Sequence, residues 1–480
     1  MNLLCATPDE NQCTLAEVDG NLVNVPIGNS SAMQEVASST PLYPSIPFEP
    51  VDSVAADYAY TPPVSSSLFE TTRSGVVKFC TESWEQRRPA IEATPAYQKA
   101  KDIYSYVHDN YLKTPEMILE HPLFNNESSI QCMAWHPHLE ILAVAHKDNN
   151  VYVYEKKDGA PWACQVLSHE KMERITCISW KKRASGTLAV GCQEGVCIWT
   201  IQRTDYADSK PKYHPKAMMR YLQLTGQSYI SSLAWDPTPA SQLLAVVSAV
   251  TNTVVVYDML LDRAIPLKRY GKGNILLRWS PNGEWLFEGG SAGLSRMWDT
   301  SDWSSQQIKN PPGLWIQAAC WSPDNQTLVY SMCGKCDVHV LILSGKTIKQ
   351  SIKEEKALST PLSTAETASG ISVPVGGVIR DMTLDERSGM RLAIAYEKSP
   401  LIGLYSINNG SPFDLQKNPM FFPIGYIRGA GLDMTSMEGH KPLFIEFSPS
   451  FENGTIMAIA WDNAAVTFVT HRFLTSEPFM

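Results

Sequence analysis

The residue patterns that could support catalysis are few, and one of them resembles a nucleophile elbow. Gly289, Ser291 and Gly293 have the Gly-x-Ser-x-Gly spacing that places a serine on a sharp strand-to-helix turn in hydrolases. Here the motif lies between two predicted strands, where glycines serve a hairpin. Cys333 and Cys336 form a single Cys-x-x-Cys pair with no second pair at zinc-like spacing. We therefore interpret both motifs as hairpin turns.

Three further motifs are incomplete. His169-Glu170 lacks the second histidine of a zinc protease motif, and Gly271-Lys-Gly273 is followed by Leu276 where a dinucleotide-binding fingerprint has glycine. Lys181-Lys182-Arg183 is interpreted as a solvated turn, with phosphate or an acidic partner as the alternative ligand. We predict no enzyme activity and no catalytic, metal-binding or cofactor-binding residue. No partner-binding residue is assigned from sequence.

Composition restricts the class of protein. The chain has 480 residues, 44% hydrophobic and 19% charged, which is typical of a globular protein. Its 40 basic and 49 acidic residues give a net charge of -9, which argues against direct nucleic-acid binding. No apolar run is long enough to span a membrane, and charged residues follow the N-terminus too soon for a signal peptide. With scattered cysteines, these features predict a soluble intracellular protein.

One sequence pattern recurs along the chain and organises everything else. An apolar segment ends in an aromatic or large residue, and a turn follows, often Ser-Pro-Asn-Gly or a relative of it. We call these seven end positions the aromatic column, and they recur roughly every 40–65 residues. The column comprises Trp135, Trp180, Trp235, Trp279, Trp321, Met382 and Phe447.

Two more apolar runs follow each column residue, separated by turn-forming residues. The first repeat shows this with Leu142–Ala145 and Val151–Tyr154, and the fourth closes with Trp298-Asp299. Short β-rich runs at this period, ending in Trp-Asp or Tyr-Asp, are typical of WD-repeat propeller blades. We predict an all-β fold, a seven-bladed WD-repeat β-propeller. A pair of β-sandwiches is disfavoured because it would not need the column seven times.

The remaining segments divide the chain into three predicted parts. Residues 1–80 form an N-terminal extension, mostly a Pro- and Ser-rich extended linker, in which Cys13–Val18 and Asn21–Val25 resemble strands. We predict that one of them latches the ring, because closure removes exposed sheet edges. Residues 81–121 are predicted helical and residues 122–474 form the propeller. Residues 353–377, rich in Ser, Thr and Ala, are predicted to be a mobile insertion.

The predicted helix begins after Thr94, with Pro95 at its first position. An apolar stripe from Tyr97 to Tyr111 follows helical spacing. The stripe packs on the propeller in one interpretation and binds a partner in the other.

The amino-acid sequence of the blades resembles that of the ALADIN family of WD-repeat nucleoporins. The similarity is carried by Ala134–His138, by Leu276–Gly283, by Cys320–Asp324 and by Phe447-Ser-Pro-Ser-Phe451 followed by Trp461. It covers most of residues 11–473 and is weakest in 26–80 and 353–377. Unlike the vertebrate members, this sequence ends at Met480 without a long Pro-rich tail.

The resemblance implies a non-enzymatic scaffold component of the nuclear pore complex. It further implies anchoring at the nuclear envelope by a transmembrane nucleoporin, association with other nuclear pore proteins, and support of selective nuclear import. A role at the mitotic spindle and its poles is a further implication. The alternative is a cytosolic WD-repeat adaptor, such as a ubiquitin-ligase substrate receptor. Neither the propeller face that binds the anchor nor the cargo follows from sequence.

Overall fold

The structure is a computed structural model that describes thirteen ranges of the chain. These ranges are 7–47, 129–157, 161–184, 186–201, 217–223, 227–268, 273–291, 293–311, 314–343, 352–408, 419–429, 440–449 and 454–473. The predicted helix of residues 81–121, with its apolar stripe, lies outside them. Within these ranges, no helix has both the length and the hydropathy that a membrane crossing requires.

The recurring apolar runs form sheets that we call blades, and blades 1 to 6 are antiparallel sheets of four strands. Each strand is bounded by the turn formers seen in the sequence, and the last residue of each first strand, or a residue near it, is the column residue. Blades 1 and 2 comprise β3 (Ile130–Trp135), β4 (Ile141–His146), β5 (Val151–Glu155), β6 (Ala163–Leu167), β7 (Cys177–Trp180), β8 (Thr187–Gly191), β9 (Val196–Ile201) and β10 (Ala217–Leu222). Blades 3 and 4 comprise β11 (Ile230–Trp235), β12 (Leu243–Ser248), β13 (Thr253–Asp258), β14 (Arg263–Lys268), β15 (Asn274–Trp279), β16 (Trp285–Gly290), β17 (Leu294–Asp299) and β18 (Ser305–Lys309).

The last three blades follow the same order, and blade 7 also receives two strands from the N-terminal segment. Blades 5 and 6 comprise β19 (Ile316–Trp321), β20 (Thr327–Met332), β21 (Asp337–Leu343), β22 (Ile352–Ser359), β25 (Ile379–Leu384), β26 (Arg391–Tyr396), β27 (Ile402–Asn408) and β28 (Met420–Ile427). Blade 7 comprises β29 (Pro442–Ser448), β30 (Gly454–Trp461) and β31 (Val466–Arg472), completed by β1 (Gln12–Val18) and β2 (Asn21–Pro26).

The first strands of the seven blades lie around a common centre. Each contacts the first strand of the next blade, and β29 contacts β3, so the order is cyclic and the ring is closed. Apolar side chains fill the spaces between blades; one such cluster joins Trp135 of blade 1 to Phe468 of blade 7. The predicted all-β, seven-bladed propeller is confirmed.

The insertion 353–377 is not the loop that we predicted from its composition. Its first part belongs to β22, which pairs along β21 as the fourth strand of blade 5. Two further strands, β23 (Ser363–Glu366) and β24 (Ser372–Val375), form a hairpin. The composition misled because an outermost strand is solvated and tolerates charged residues, which also protect its open edge.

The N-terminal strand closes the ring, as predicted. Strand β1 pairs in parallel with β31, the last strand of the repeat region, and β2 pairs antiparallel with β1. Blade 7 therefore joins the two ends of the sequence in one five-stranded sheet. Because the contributing segments are separated by the whole propeller, the latch makes folding of blade 7 depend on the N-terminus.

A buried charge network fixes this latch. The carboxylate of Glu17 on β1 accepts hydrogen bonds from the guanidinium of Arg391 on β26, with an Oε1–Nη2 distance of 2.6 Å. Its other oxygen lies 2.6 Å from Nδ1 of His471 on β31. Glu17 and His471 are wholly buried. Desolvation opposes the charge of Glu17, but the hydrogen bonds and charges of His471 and Arg391 outweigh it and lower its pKa to about 2.

The segment after β2 continues over the junction between blades 7 and 1. It contains α1 (Ser30–Ser39), capped by the Asn29 side chain, whose Oδ1 accepts from the Ala32 N–H at 3.2 Å. This helix interrupts the predicted extended linker, since the prolines of that linker begin only after it. Farther on, the Tyr43 hydroxyl donates to Glu140 of blade 1 at 2.7 Å, and Ile46 bridges to Val466 of blade 7.

Candidate functional site

The Gly-x-Ser-x-Gly segment forms a strand-to-strand turn. Gly289 and Gly290 end β16, Gly293 has a left-handed φ of 71°, and β17 follows antiparallel. A nucleophile elbow needs a helix after the serine, and the chain continues here as a strand.

The Cys-x-x-Cys pair lies in the hairpin between β20 and β21. Gly334 supplies the left-handed turn, with a φ of 70°. Burial raises the pKa of the Cys333 thiol to about 11, so the thiolate that metal binding or redox exchange requires is disfavoured near neutral pH. In the described part of the chain, no group of three or more His, Cys, Asp or Glu side chains is arranged to hold a metal ion.

The basic turn Lys181–Arg183 connects the first and second strands of blade 2. Lys181 donates to the side chain of Gln242 on blade 3, and its ammonium lies 5.4 Å from the ring centroid of Trp235. Lys182 pairs with Glu386 of blade 6 at 2.9 Å. Two of the three basic side chains thus contact other blades.

The aromatic column joins neighbouring blades by a repeated hydrogen bond. Each tryptophan indole N–H donates to the backbone carbonyl of the residue that precedes the column residue of the previous blade. The five bonds are Trp135 to Glu446 (3.2 Å), Trp180 to Ala134 (3.0 Å), Trp235 to Ser179 (3.1 Å), Trp279 to Ala234 (3.0 Å) and Trp321 to Arg278 (3.1 Å). All five side chains are buried. We call each bond an indole staple.

Two column positions cannot form an indole staple. The side chains of Met382 in blade 6 and Phe447 in blade 7 carry no N–H donor. At these junctions other groups bond instead. Gln317 Nε2 donates to the Arg380 carbonyl at 3.1 Å between blades 5 and 6, and the Ile445 N–H donates to the Asp381 carboxylate at 2.9 Å between blades 6 and 7.

The residues that immediately precede the column lie at one level around the centre of the ring, because all seven first strands are in cyclic contact. In chain order they are Ala134, Ser179, Ala234, Arg278, Cys320, Asp381 and Glu446. Blades 1 to 3 thus contribute small side chains, whereas three of the last four blades contribute charged ones. Burying a charged side chain costs free energy unless the charge is paired or hydrogen-bonded, and Arg278 and Asp381 both form hydrogen bonds here.

Further charges lie in the loops beside this level. Lys182 and Glu386 both lie in loops that join the first and second strands of a blade, and we call this side of the ring the first-loop face. Their ion pair joins blades 2 and 6, which are not neighbours, so it crosses the central opening. Both side chains are partly exposed, at 38% and 55%. We define the charged mouth as Lys182, Arg278, Asp381, Glu386 and Glu446.

The residues of the charged mouth are far apart in the sequence and belong to different repeats. Arg278, Asp381 and Glu446 each precede a column residue in the sequence, and Lys182 belongs to the basic turn that the sequence predicts to be solvated. A signal was present, since these three blades carry a charge where blades 1 to 3 carry alanine or serine. It could be interpreted only once the closed ring showed that the pre-column positions face a common centre.

These features define a class of protein, the seven-bladed WD-type β-propeller that is closed by an N-terminal strand. A family model described as the Aladin seven-bladed propeller matches residues 117–471. The chain belongs to this family.

The chain is also similar to a curated protein and to a solved structure. The chain is 25% identical over 194 residues to the anaphase-promoting complex subunit cdh1 of Dictyostelium discoideum; the match covers 39% of this chain and 23% of that protein. The chain thus spans about a quarter of the length of that relative. The Cps50 (Swd1) β-propeller domain of Myceliophteria thermophila superimposes with a TM-score of 0.50 at 13% identity, covering 71% of this chain and 96% of the domain. At that identity the likeness concerns the fold alone.

Proposed function

We propose that this protein is a non-enzymatic scaffold component of the nuclear pore complex, anchored at the nuclear envelope by a transmembrane nucleoporin and supporting selective protein import. The observation that carries the proposal is the Aladin propeller match, which extends over residues 117–471. The closed ring supports it, because a propeller stapled at its blade junctions presents rigid faces on which other proteins can assemble. A role at the mitotic spindle stays a prediction.

Imaging tests this proposal directly. The endogenously tagged protein, viewed in interphase cells beside a pore marker, should form a punctate nuclear rim that coincides with the pores. As a control for folding, the same tag is placed on a chain that lacks residues 1–25, because the ring of that chain should not close. A diffuse cytosolic signal from the intact protein would overturn the nuclear pore proposal.

The second candidate function is a cytosolic adaptor that brings substrates to a ubiquitin ligase. The observation in its favour is the similarity to cdh1, which is named as a subunit of the anaphase-promoting complex. That similarity spans 39% of this chain, whereas the Aladin model matches most of it, so the scaffold is preferred. Affinity purification separates the two: co-purification of pore proteins supports the scaffold, and co-purification of a ligase core supports the adaptor.

A further inference from the structure

Among the described residues, the three most exposed large apolar side chains lie at one corner of the ring. Leu260 and Leu261, in the hairpin between β13 and β14, are 79% and 62% exposed, and Met218 on β10 of the neighbouring blade 2 is 71% exposed. We call these three residues the apolar tip. Single exposed apolar residues are normal, whereas a cluster of them indicates a surface that binds an apolar partner phase.

The apolar tip lies at the outer rim of the first-loop face. The strands of a blade alternate in direction, so the third strand ends on the same side of the ring as the first. The hairpin between the third and fourth strands of blade 3 therefore extends from that side, and its leucines protrude into solvent.

The backbone around the two leucines forms its hydrogen bonds within the protein. The carboxylate of Asp258 accepts the N–H groups of Leu260 at 2.9 Å and of Leu261 at 3.0 Å. The Met259 N–H donates to the carbonyl of Gln242 at 3.0 Å. These three donors are satisfied without water, so the hairpin can enter an apolar medium at no cost in unpaired N–H groups.

An ion pair fixes the hairpin against blade 2 and neutralises its outer carboxylate. Asp262, which follows Leu261 with a left-handed φ of 52°, accepts the hydroxyl of Tyr257 and the guanidinium of Arg220 on β10. The same guanidinium lies 5.9 Å from the ring centroid of Tyr257. Because Arg220 is two residues from Met218 on β10, this pair holds the members of the apolar tip together.

A cation lies at the base of the hairpin. Arg263, the first residue of β14, is exposed, and its side chain takes part in no hydrogen bond or ion pair in the part of the chain that the structure describes. An apolar end followed by a free guanidinium matches the order of acyl chains and phosphate groups across one leaflet of a bilayer. The net charge of -9 favours a zwitterionic surface over an anionic one.

We propose that the apolar tip inserts into the interfacial layer of a zwitterionic lipid bilayer, with Arg263 binding a lipid phosphate. A lipid surface deforms around a protruding hairpin, whereas a folded partner would need a matching groove. Few side chains enter the bilayer, so the contact is weak and reversible and orients a protein that other contacts hold at the membrane. The inference deepens the nuclear pore proposal, on which it rests for the presence of a bilayer.

Co-sedimentation with vesicles tests the proposal on the purified full chain. Extruded vesicles of phosphatidylcholine are added at increasing lipid concentration, and the fraction of protein that sediments gives the partition coefficient. Wild type should sediment with the vesicles, and raising the salt concentration should change its partition little, because apolar burial is not screened. Absence of wild-type sedimentation would overturn the proposal.

Four variants test which side chains carry the binding. Leu260→Ser and Leu261→Ser should each lower the partition coefficient about tenfold, because each removes a buried apolar side chain. Arg263→Gln should lower it several-fold, because it removes a charge-assisted bond to phosphate. Leu362→Ser, at a leucine that is 56% exposed between β22 and β23, is the matched control and should change nothing. Unchanged melting temperatures establish that the variants fold, and equal partition of wild type and both tip variants would exclude the apolar tip.

The vesicle assay and the imaging experiment fail independently. If wild type forms the nuclear rim but does not sediment with vesicles, the lipid contact is wrong and the nuclear pore proposal stands. If the tagged protein is diffuse in cells while binding to vesicles depends on Leu260 and Leu261, the lipid contact stands and the nuclear pore proposal is wrong.

Discussion

The blade junctions of this propeller fall into two groups. At five of them, from the junction of blades 7 and 1 to that of blades 4 and 5, an indole staple joins the blades. At the two junctions that flank blade 6, the column residues are Met382 and Phe447, and the bonds come from side chains outside the column. The repeated and the irregular junctions thus solve the same packing problem with different chemistry.

The difference shows where the ring relies on distant sequence. The irregular side of the ring also receives the N-terminal latch, whose Glu17 bonds Arg391 of blade 6 and His471 of blade 7. Charged side chains that are not part of the repeat, such as Glu17 and Arg391, thus lie beside blade 6, where the indole staples are missing. We infer that the five stapled junctions are stabilised by the repeated column residues. The two junctions beside blade 6 depend instead on the N-terminal latch.

Deletion of residues 1–25 should destabilise the protein more than any of the other changes proposed below. It removes β1, leaves Arg391 and His471 without Glu17, and exposes the edge of β31. We expect aggregation, measured by size-exclusion chromatography and light scattering. A synthetic peptide of residues 7–26, added during refolding, should restore soluble monomer. A truncated chain that is soluble and melts like the full chain would refute the latch.

Trp279→Ala tests a stapled junction. It removes a buried indole and its bond to the Ala234 carbonyl, and should lower the free energy of unfolding by about 3–5 kcal/mol. Trp321→Ala should behave alike. Trp279→Phe keeps most of the volume and should lose about 1 kcal/mol, the value of the hydrogen bond. Denaturant unfolding measures each loss, and an unchanged midpoint for Trp279→Ala would show that the column is not a stabilising staple.

Glu17→Gln tests the latch by removing only the negative charge that bonds Arg391 and His471. Removing one partner of a buried ion pair should cost about 3 kcal/mol at neutral pH. The folded pKa of Glu17, about 2, is below its ordinary value of 4.5, so its contribution is full above pH 4.5 and is lost as the pH falls toward 2. Thermal melts should show a steeper loss for wild type than for the variant in that window. Glu35→Gln, on the exposed side of α1, is the control and should follow wild type.

Gln317→Ala tests an irregular junction and should have the smallest effect. It removes the bond from Gln317 to the Arg380 carbonyl, and we expect a loss of about 1 kcal/mol by denaturant unfolding. If this loss equals that of Trp279→Ala, the two groups of junctions do not differ in energy, and the comparison fails.

Much of the architecture could be predicted from sequence because it depends on short-range patterns. Alternating apolar residues, Pro and Gly at turns, and seven column positions are each legible within a few residues, and together they define the blades. The latch could be predicted because an open ring would expose sheet edges, and because the N-terminal segment contains two strand-like runs that belong to no repeat.

Where the prediction failed, local composition and tertiary role disagreed. Composition predicts a loop for residues 353–377, yet β22 is an outermost strand, which needs only one neighbour and tolerates solvent on its other side, and β23 and β24 pair with each other in a hairpin. Composition also predicts an extended linker where α1 forms, because the prolines that indicate a linker begin only after the helix ends.

By itself, the sequence determined three strands in each blade, their sevenfold repetition and the family resemblance, because hydrophobic periodicity and turn chemistry are properties of neighbouring residues. Only the tertiary structure decided which carbonyl each indole meets, that Glu17 bonds Arg391 and His471, and that Lys182, Arg278, Asp381, Glu386 and Glu446 share one opening. These pairings join residues tens to hundreds of positions apart. Ring closure alone brings them together, and no pattern along the chain records that geometry.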